Sequence, residues 1–211
     1  MKIKVGKYTG TGSQLGITGV GFKPDFVWVQ REAASQSYPL IRFDSWPANY
    51  SQDLSGIQQK TDCILSCDED GFTVGTNPWV NASGGTYHYL CIAAGSAGDA
   101  KVDTYVGNGQ NPRDIIMGIT PVFVLSGVRQ SSFYWKIAGM ESANDCEFGY
   151  NNPANSKITA LISGGMTVEA NANGLGTTYT YLALADVSEL VYYTHYVGDG
   201  SDPRNFAGVP F

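Results

Sequence analysis

Tyr8-Thr9-Gly10-Thr11-Gly12 returns as Tyr105-Val106-Gly107-Asn108-Gly109, and once more as Tyr196-Val197-Gly198-Asp199-Gly200. A repeat fixes the unit of folding before any single residue is read. The first two copies each precede a body of roughly 90 residues, enough for a small β domain, whereas only eleven residues follow the third. Features that both bodies keep serve the fold, and features that only one has are free to carry function.

Downstream of the signature, Gly21-Phe22-Lys23-Pro24-Asp25-Phe26-Val27-Trp28-Val29 matches Gly118-Ile119-Thr120-Pro121-Val122-Phe123-Val124-Leu125. Proline sits at the strand entry, where a missing N–H does least harm. The strand that follows is apolar on both sides, with Phe26 and Trp28 on one face and Val27 and Val29 on the other, so it is expected to be buried on both. Near the end of each unit, Gly71-Phe72-Thr73-Val74 matches Gly165-Met166-Thr167-Val168, and Thr86 to Ala93 matches Thr178 to Ala185. Alternation puts Tyr87, Tyr89, Cys91 and Ala93 on one face and His88, Leu90 and Ile92 on the other.

The middles of the two units, Arg31 to Leu65 and Arg129 to Ile162, match poorly. Ser37–Phe43 and Phe133–Ile137 each read as one more strand. Asn49–Lys60 and Asn144–Lys157 read as loops, with single helical turns as candidates at Gln52–Ile57 and Glu141–Cys146. Gly10-Thr11-Gly12 and Gly107-Asn108-Gly109 read as hairpin turns, Asn-Gly being a favoured pair. No helix follows them to receive a phosphate, so nucleotide binding is not expected. About seven strands per unit, with turn signals between them, predict an all-β protein. It has two tandem antiparallel β-sandwich, jelly-roll-like repeats, 1–96 and 97–190, and a partial third repeat, 191–211.

Composition agrees. Charged residues are 15% and Gly is 26 of 211, against a usual charged share of roughly 25%. The net charge is −6 with 13 basic residues and no long basic run, which argues against a nucleic-acid partner. No stretch has the length of a membrane span. The basic start Met1–Lys7 lacks the apolar run of a signal peptide, so production in a cytoplasm without an export signal is expected. The four cysteines, Cys63, Cys67, Cys91 and Cys146, do not match between copies and read as buried reduced thiols.

No motif for catalysis, cofactor or metal emerges. His88 and His195 lack partners at a recognisable spacing, and His88 is replaced by Thr180 in the second copy. Asp68-Glu69-Asp70-Gly71 is the densest acidic cluster and reads as a solvated turn rather than a cation loop. Trp46-Pro47 and Asn77-Pro78-Trp79 place indoles beside turn residues. Trp46 and Trp79 are therefore candidate contacts for a sugar ring or a protein, against the plainer reading that they close the end of their own sandwich.

Three signatures and two bodies leave one end over. If each signature opens the body after it, the surplus is Tyr192–Phe211; if each closes the body before it, the surplus is Met1–Phe22. The expectation is that the spare end adds a strand to the sheet edge of a neighbouring protein. The candidate contacts are Tyr196, Val197, Gly198, Gly200, Pro203, Arg204, Phe206 and Phe211.

Taken together, Tyr8–Gly12, Ile17, Gly21–Val29, Asp44-Ser45, Asp70–Gly75 and Tyr87-x-Tyr89 resemble the β modules of tailed-bacteriophage tail fibres and other virion surface proteins. The likeness runs through most of the first copy and, in the second, rests on Tyr105–Leu125 and Gly176–Ala185. One departure is Trp46-Pro47 after Asp44-Ser45, where Arg-Gly is common in such modules. The resemblance implies a non-enzymatic structural protein located in a virion, as a tail-fibre, tail-associated or capsid decoration subunit. Its partners would be other virion proteins and further copies of itself, with no cofactor, no nucleic acid and no membrane insertion. A host-glycan-binding module using Trp46 and Trp79 is the alternative, and a glycan hydrolase using loop carboxylates such as Asp70 is a weaker one.

Overall fold

The computed structural model describes residues 1–32, 39–54, 59–95, 98–141, 144–148 and 157–186. The first repeat contains β1 (Lys2–Thr9), β2 (Leu15–Ile17), β3 (Phe26–Arg31), β4 (Leu40–Phe43) and β5 (Ser51–Asp53). It continues with β6 (Gln59–Lys60), β7 (Ile64–Asp68), β8 (Gly71–Val74), a single helical turn α1 (Pro78–Asn81) and β9 (Thr86–Ala93). The second contains β10 (Ala100–Val106), β11 (Arg113–Ile116), β12 (Pro121–Gly127), β13 (Phe133–Ile137) and β14 (Cys146–Glu147). β15 (Ile158–Ile162), β16 (Gly165–Val168), a 3₁₀ turn (Ala170–Ala172) and β17 (Thr178–Ala185) complete it.

The protein is an all-β sandwich with every described strand pair antiparallel. In repeat 1 a large sheet, ordered β1-β9-β3-β4-β5-β6, covers a small one, β2-β8-β7. In repeat 2 the large sheet runs β10-β17-β12-β13-β14 and the small one β11-β16-β15. Among the described residues the order recurs strand for strand, and β6 is seen in repeat 1 alone. β1 pairs with β9, and β10 with β17. The first two signatures therefore each open the body that follows them, and Met1–Phe22 is integral to repeat 1.

Alternation along the strands builds three cores in four stacked layers. Val27, Val29, Tyr87, Tyr89 and Cys91 face the small sheet of repeat 1, meeting Ile64, Phe72 and Val74. Val124, Tyr179, Tyr181 and Ala183 do the same in repeat 2, against Ile158, Met166 and Val168. The opposite faces of the two large sheets meet each other: Phe26, Ile41, Phe43 and Ile92 pack with Leu125, Phe133 and Leu182. Phe43 stacks on Phe133 at 6.0 Å. Each such buried side chain contributes about 1.5–3 kcal/mol. This is why Phe26–Val29 reads apolar on both sides: one face serves its own repeat and the other serves its neighbour.

Three local expectations are corrected. The Gly-x-Gly segments are not hairpin turns, because β1 and β2 lie in different sheets, as do β10 and β11; the glycines carry the chain from one layer to the other. The stretches 49–60 and 144–157, expected as loops, contribute β5, β6 and β14, short strands whose polar residues gave no alternation to read. Helical turns form at Pro78–Asn81 and Ala170–Ala172; of the two candidate turns, Gln52-Asp53 lies in β5 and Glu141 O accepts from the Asn144 amide at 3.1 Å, and each candidate lies partly outside the described residues. Asn77 caps the first, accepting from the Trp79 amide at 3.1 Å, and Pro78 supplies the φ of a first helical position.

Candidate functional site

The repeated signature forms one corner twice. In repeat 1 the Tyr8 ring stacks on Tyr87, with centroids 5.1 Å apart, and the Tyr8 hydroxyl donates to Val80 O at 2.6 Å. In repeat 2 Tyr105 stacks on Tyr179 at 4.8 Å and donates to Ala172 O at 2.7 Å. Tyr87 and Tyr179 in turn accept from the amides of Ala82 and Gly174, at 2.7 and 3.0 Å. A Cβ on Gly10 would overlap the Ala82 carbonyl oxygen, and one on Gly107 that of Gly174, so both positions require glycine. Burial raises the pKa values of Tyr8 and Tyr105 well above the ordinary tyrosine range.

At the centre lies a buried asparagine. Asn81 accepts from the Thr11 amide at 2.8 Å and donates through Nδ2 to Ser13 O and Gly75 O. Asn173 accepts from the Asn108 amide at 3.1 Å and donates to Asn108 Oδ1 and Gln110 O, both at 2.7 Å. Both are fully buried. Arg113 adds a layer in repeat 2, donating to Asn173 Oδ1 at 3.0 Å and Val106 O at 2.7 Å. Sequence reading missed this pair. The signal is an Asn six residues before the strand tyrosine in both copies, Asn81 before Tyr87 and Asn173 before Tyr179.

A second hidden match is a buried cation in the fourth strand of each repeat. Arg42 and Lys136 pair with equivalent positions, Val27 and Val124, and are nearly inaccessible. Arg42 donates to Trp46 O, Pro47 O and Tyr50 O at 3.1, 2.9 and 2.7 Å. Lys136 donates to Glu141 O, at 3.0 Å, and to Asn144 O, and desolvation lowers its pKa. Each cation pins the loop that follows its strand. Ser51 and Asp145 are equivalent too: each side chain accepts the first amide of its small-sheet strand, Ile64 at 3.2 Å and Ile158 at 2.7 Å.

This geometry corrects the reading of Trp46. Arg42 folds the 46–50 loop inward, leaving Trp46 only 5% exposed in the core between the repeats. Its indole N–H donates to Thr180 Oγ1 at 3.1 Å and its ring meets Phe133 at 6.0 Å. It is a clasp between the two large sheets and presents no face to a sugar. Trp79 is half-buried against the core of repeat 1, with Lys60 Nζ 4.4 Å from its ring centre. It closes the end of its own sandwich.

The remaining chemistry is likewise engaged. Asp70 accepts from the Gly19 and Gly21 amides at 3.0 and 2.6 Å, which lowers its pKa, the opposite of what a general acid requires. Asp68 accepts from Ser66 and Thr73 hydroxyls, both at 2.7 Å. His88 is exposed and sits 3.1 Å from Glu32. Cys63, Cys67 and Cys91 are free and buried, their pKa values pushed up to about 12 by desolvation, while Cys146 is half-buried. An open groove of about 550 Å³ crosses β1, β3 and β9, lined by Val5, Trp28, His88 and Leu90 among others. The matching patch of repeat 2 lies under the Trp46 clasp.

The candidate assembly residues Tyr196, Val197, Gly198, Gly200, Pro203, Arg204, Phe206 and Phe211, like His195, lie outside the described residues. Among the described residues no helix is long and apolar enough to cross a membrane.

Compared with known families, residues 3–103 match the model of a domain of unknown function, DUF7483. The match takes in β1 through β9 and the first half of β10. No curated protein and no solved structure matches the chain.

Proposed function

We propose that this chain is a non-enzymatic structural protein of a bacteriophage particle. It serves as a tail-fibre, tail-associated or capsid decoration subunit and assembles through β surfaces and strand addition. The observation that carries the reading is the corner. β1 and β10 each fill the corner of their own repeat, so both corners within residues 1–186 are taken, yet the sequence holds a third copy of the strand signature that fills them. A further copy of the strand that completes these corners is an element that strand addition between subunits can use. The likeness of the Tyr8–Val29 and Asp70–Gly75 stretches to virion surface modules supports the particle as the setting, with other virion proteins and further copies of this chain as partners.

The glycan-binding alternative loses Trp46, which the inter-repeat core consumes, and finds Trp79 half-covered. The test is to image particles of a phage encoding this chain after labelling with an antibody raised against it. Regular labelling at one position on the particle is expected. Unlabelled particles, with the protein left in the soluble fraction of the lysate, would refute the proposal.

A further inference from the structure

Each repeat exposes one apolar feature that the other lacks. On repeat 1 it is the groove. Its floor is a cross-strand row, Val5 on β1, Leu90 on β9 and Trp28 on β3. Repeat 2 has the same row as Val102, Leu182 and Leu125, and there Leu182 and Leu125 are buried in the core between the repeats. In repeat 1 the row runs out of that core. Trp28 and Leu90 pack against it on one side and line the open space of about 550 Å³ on the other, and Val5 is 69% exposed. An apolar row that continues an existing interface, and that is covered by protein in the other copy, has the character of a contact surface.

On repeat 2 the feature is a knob. Leu175 is 81% exposed and Val106 55%. Leu175 sits on the turn beside Gly107, where Gly107 N donates to Thr177 O at 2.8 Å and Gly176 N donates to Gly107 O at 2.9 Å. These bonds fix the turn in advance, so little ordering is needed to bury it. Repeat 1 has Ser83 and Thr9 at the two places. Ser83 meets Gly12 as Leu175 meets Gly109, and Thr9 pairs with Thr86 as Val106 pairs with Thr178. The fold therefore accepts polar residues at both positions, and the apolar pair is there for another purpose.

Knob and groove lie on opposite flanks of the repeat-1 large sheet. The groove is on the β1 side, whereas Thr178, the strand partner of Val106, lies beside Tyr50 and Gln59 on the β5–β6 side. Their charges match. β1 exposes Lys2, Lys4 and Lys7 and carries no acid, and Asp103 and Asp114 are exposed on β10 and β11, the strands on either side of the Gly107 corner.

We propose that the knob of Val106 and Leu175 in one copy of this chain seats in the groove of Val5, Leu90 and Trp28 in the next. The two surfaces differ, so the contact is heterologous. Each joined copy keeps a free groove at one end or a free knob at the other, and the contact propagates as a ring or a filament. Two side chains bury far less than the roughly 800 Å² per partner of a stable interface. The contact therefore sets the orientation of copies that are also held elsewhere. It rests on the assembly reading above and names the surfaces on which the copies meet.

Cross-linking of the full chain tests it. Both Val5 and Leu175 are exposed, so Val5→Cys and Leu175→Cys keep the fold. Each variant is treated with a short bismaleimide, alone and mixed with the other, and the parent chain sets the background. The mixture is expected to give a cross-linked dimer that neither variant gives alone, and the Val5→Cys/Leu175→Cys double variant a ladder. A dimer from Val5→Cys alone, as strong as that from the mixture, would mean that groove faces groove and would overturn the proposal. So would the absence of a cross-link above background in every sample. Leu175→Asp is expected to raise the concentration of half-assembly, followed by light scattering, about tenfold, the share of one buried leucine, with the melting temperature of the parent. Unchanged assembly would also overturn the proposal. If removal of residues 190–211 abolishes assembly while both tests fail, the assembly reading stands and the knob has no part in it.

Discussion

In repeat 1, Asn81 holds its corner through two backbone carbonyls, Ser13 O and Gly75 O. In repeat 2, Asn173 holds the same corner through one carbonyl and the Asn108 side chain, with Arg113 bound to its oxygen. The tyrosine stack, the wedge glycine and the asparagine do not vary, and the groups around them do. The outer faces differ more. Thr180 of repeat 2 is covered by the Trp46 clasp, whereas His88, at the equivalent position in repeat 1, is exposed beside an open groove. The inner corner is therefore the constant of the module, and the outer face is where the two copies have been put to different uses.

The corner offers the largest effect. Asn81→Ala and Asn173→Ala each strand buried donors and acceptors and are expected to cost about 3–5 kcal/mol. Asn173→Ala should cost more, because Arg113 also loses an acceptor. Urea unfolding of the two variants checks the order, and equal losses under ~1 kcal/mol would mean that the corner does not hold the module.

The clasp comes next. Trp46→Ala removes a buried indole at the inter-repeat core and is expected to cost about 3 kcal/mol. Trp46→Phe should recover all but ~1 kcal/mol, the part due to the bond to Thr180. A loss confined to repeat 1 by hydrogen exchange, leaving the Thr180 region unchanged, would show that the two large sheets do not depend on each other.

The smallest effect separates the repeats by pH. All three strongly shifted thiols, Cys63, Cys67 and Cys91, belong to repeat 1. Their folded pKa values of about 12 lie above the unfolded value, so their contribution is complete below roughly pH 8.5 and is lost as pH rises toward 12. By pH 9 the three thiols together should leave repeat 1 about 2 kcal/mol less stable than at pH 7. Cys91→Ala, which installs the residue that repeat 2 has at Ala183, should reduce that loss. An unchanged pH dependence would contradict the assignment.

The repeat, the sheet class and the two-faced strands were legible in the sequence, because Phe26–Val29 and Thr86–Ala93 carry strong period-2 patterns whose faces the structure keeps. The stacking of one large sheet on the other was legible only as the unexplained apolarity of the Phe26 and Trp28 side. The corner was not legible, since its asparagines lie among turn residues and their burial depends on contacts with residues about 70 positions earlier in the chain. Trp46 was misread for a related reason. A Trp-Pro pair in a loop looks exposed until the buried Arg42, four residues before it, is seen to bind three of that loop's carbonyls.

The central proposal is that the third strand signature, Tyr196–Gly200, drives assembly. Light scattering on the full chain and on a chain lacking residues 190–211 tests it most directly. The account predicts that the full chain exceeds the monomer mass and grows with concentration, and that the truncated chain is a folded monomer. The same mass for both, at every concentration, would contradict it.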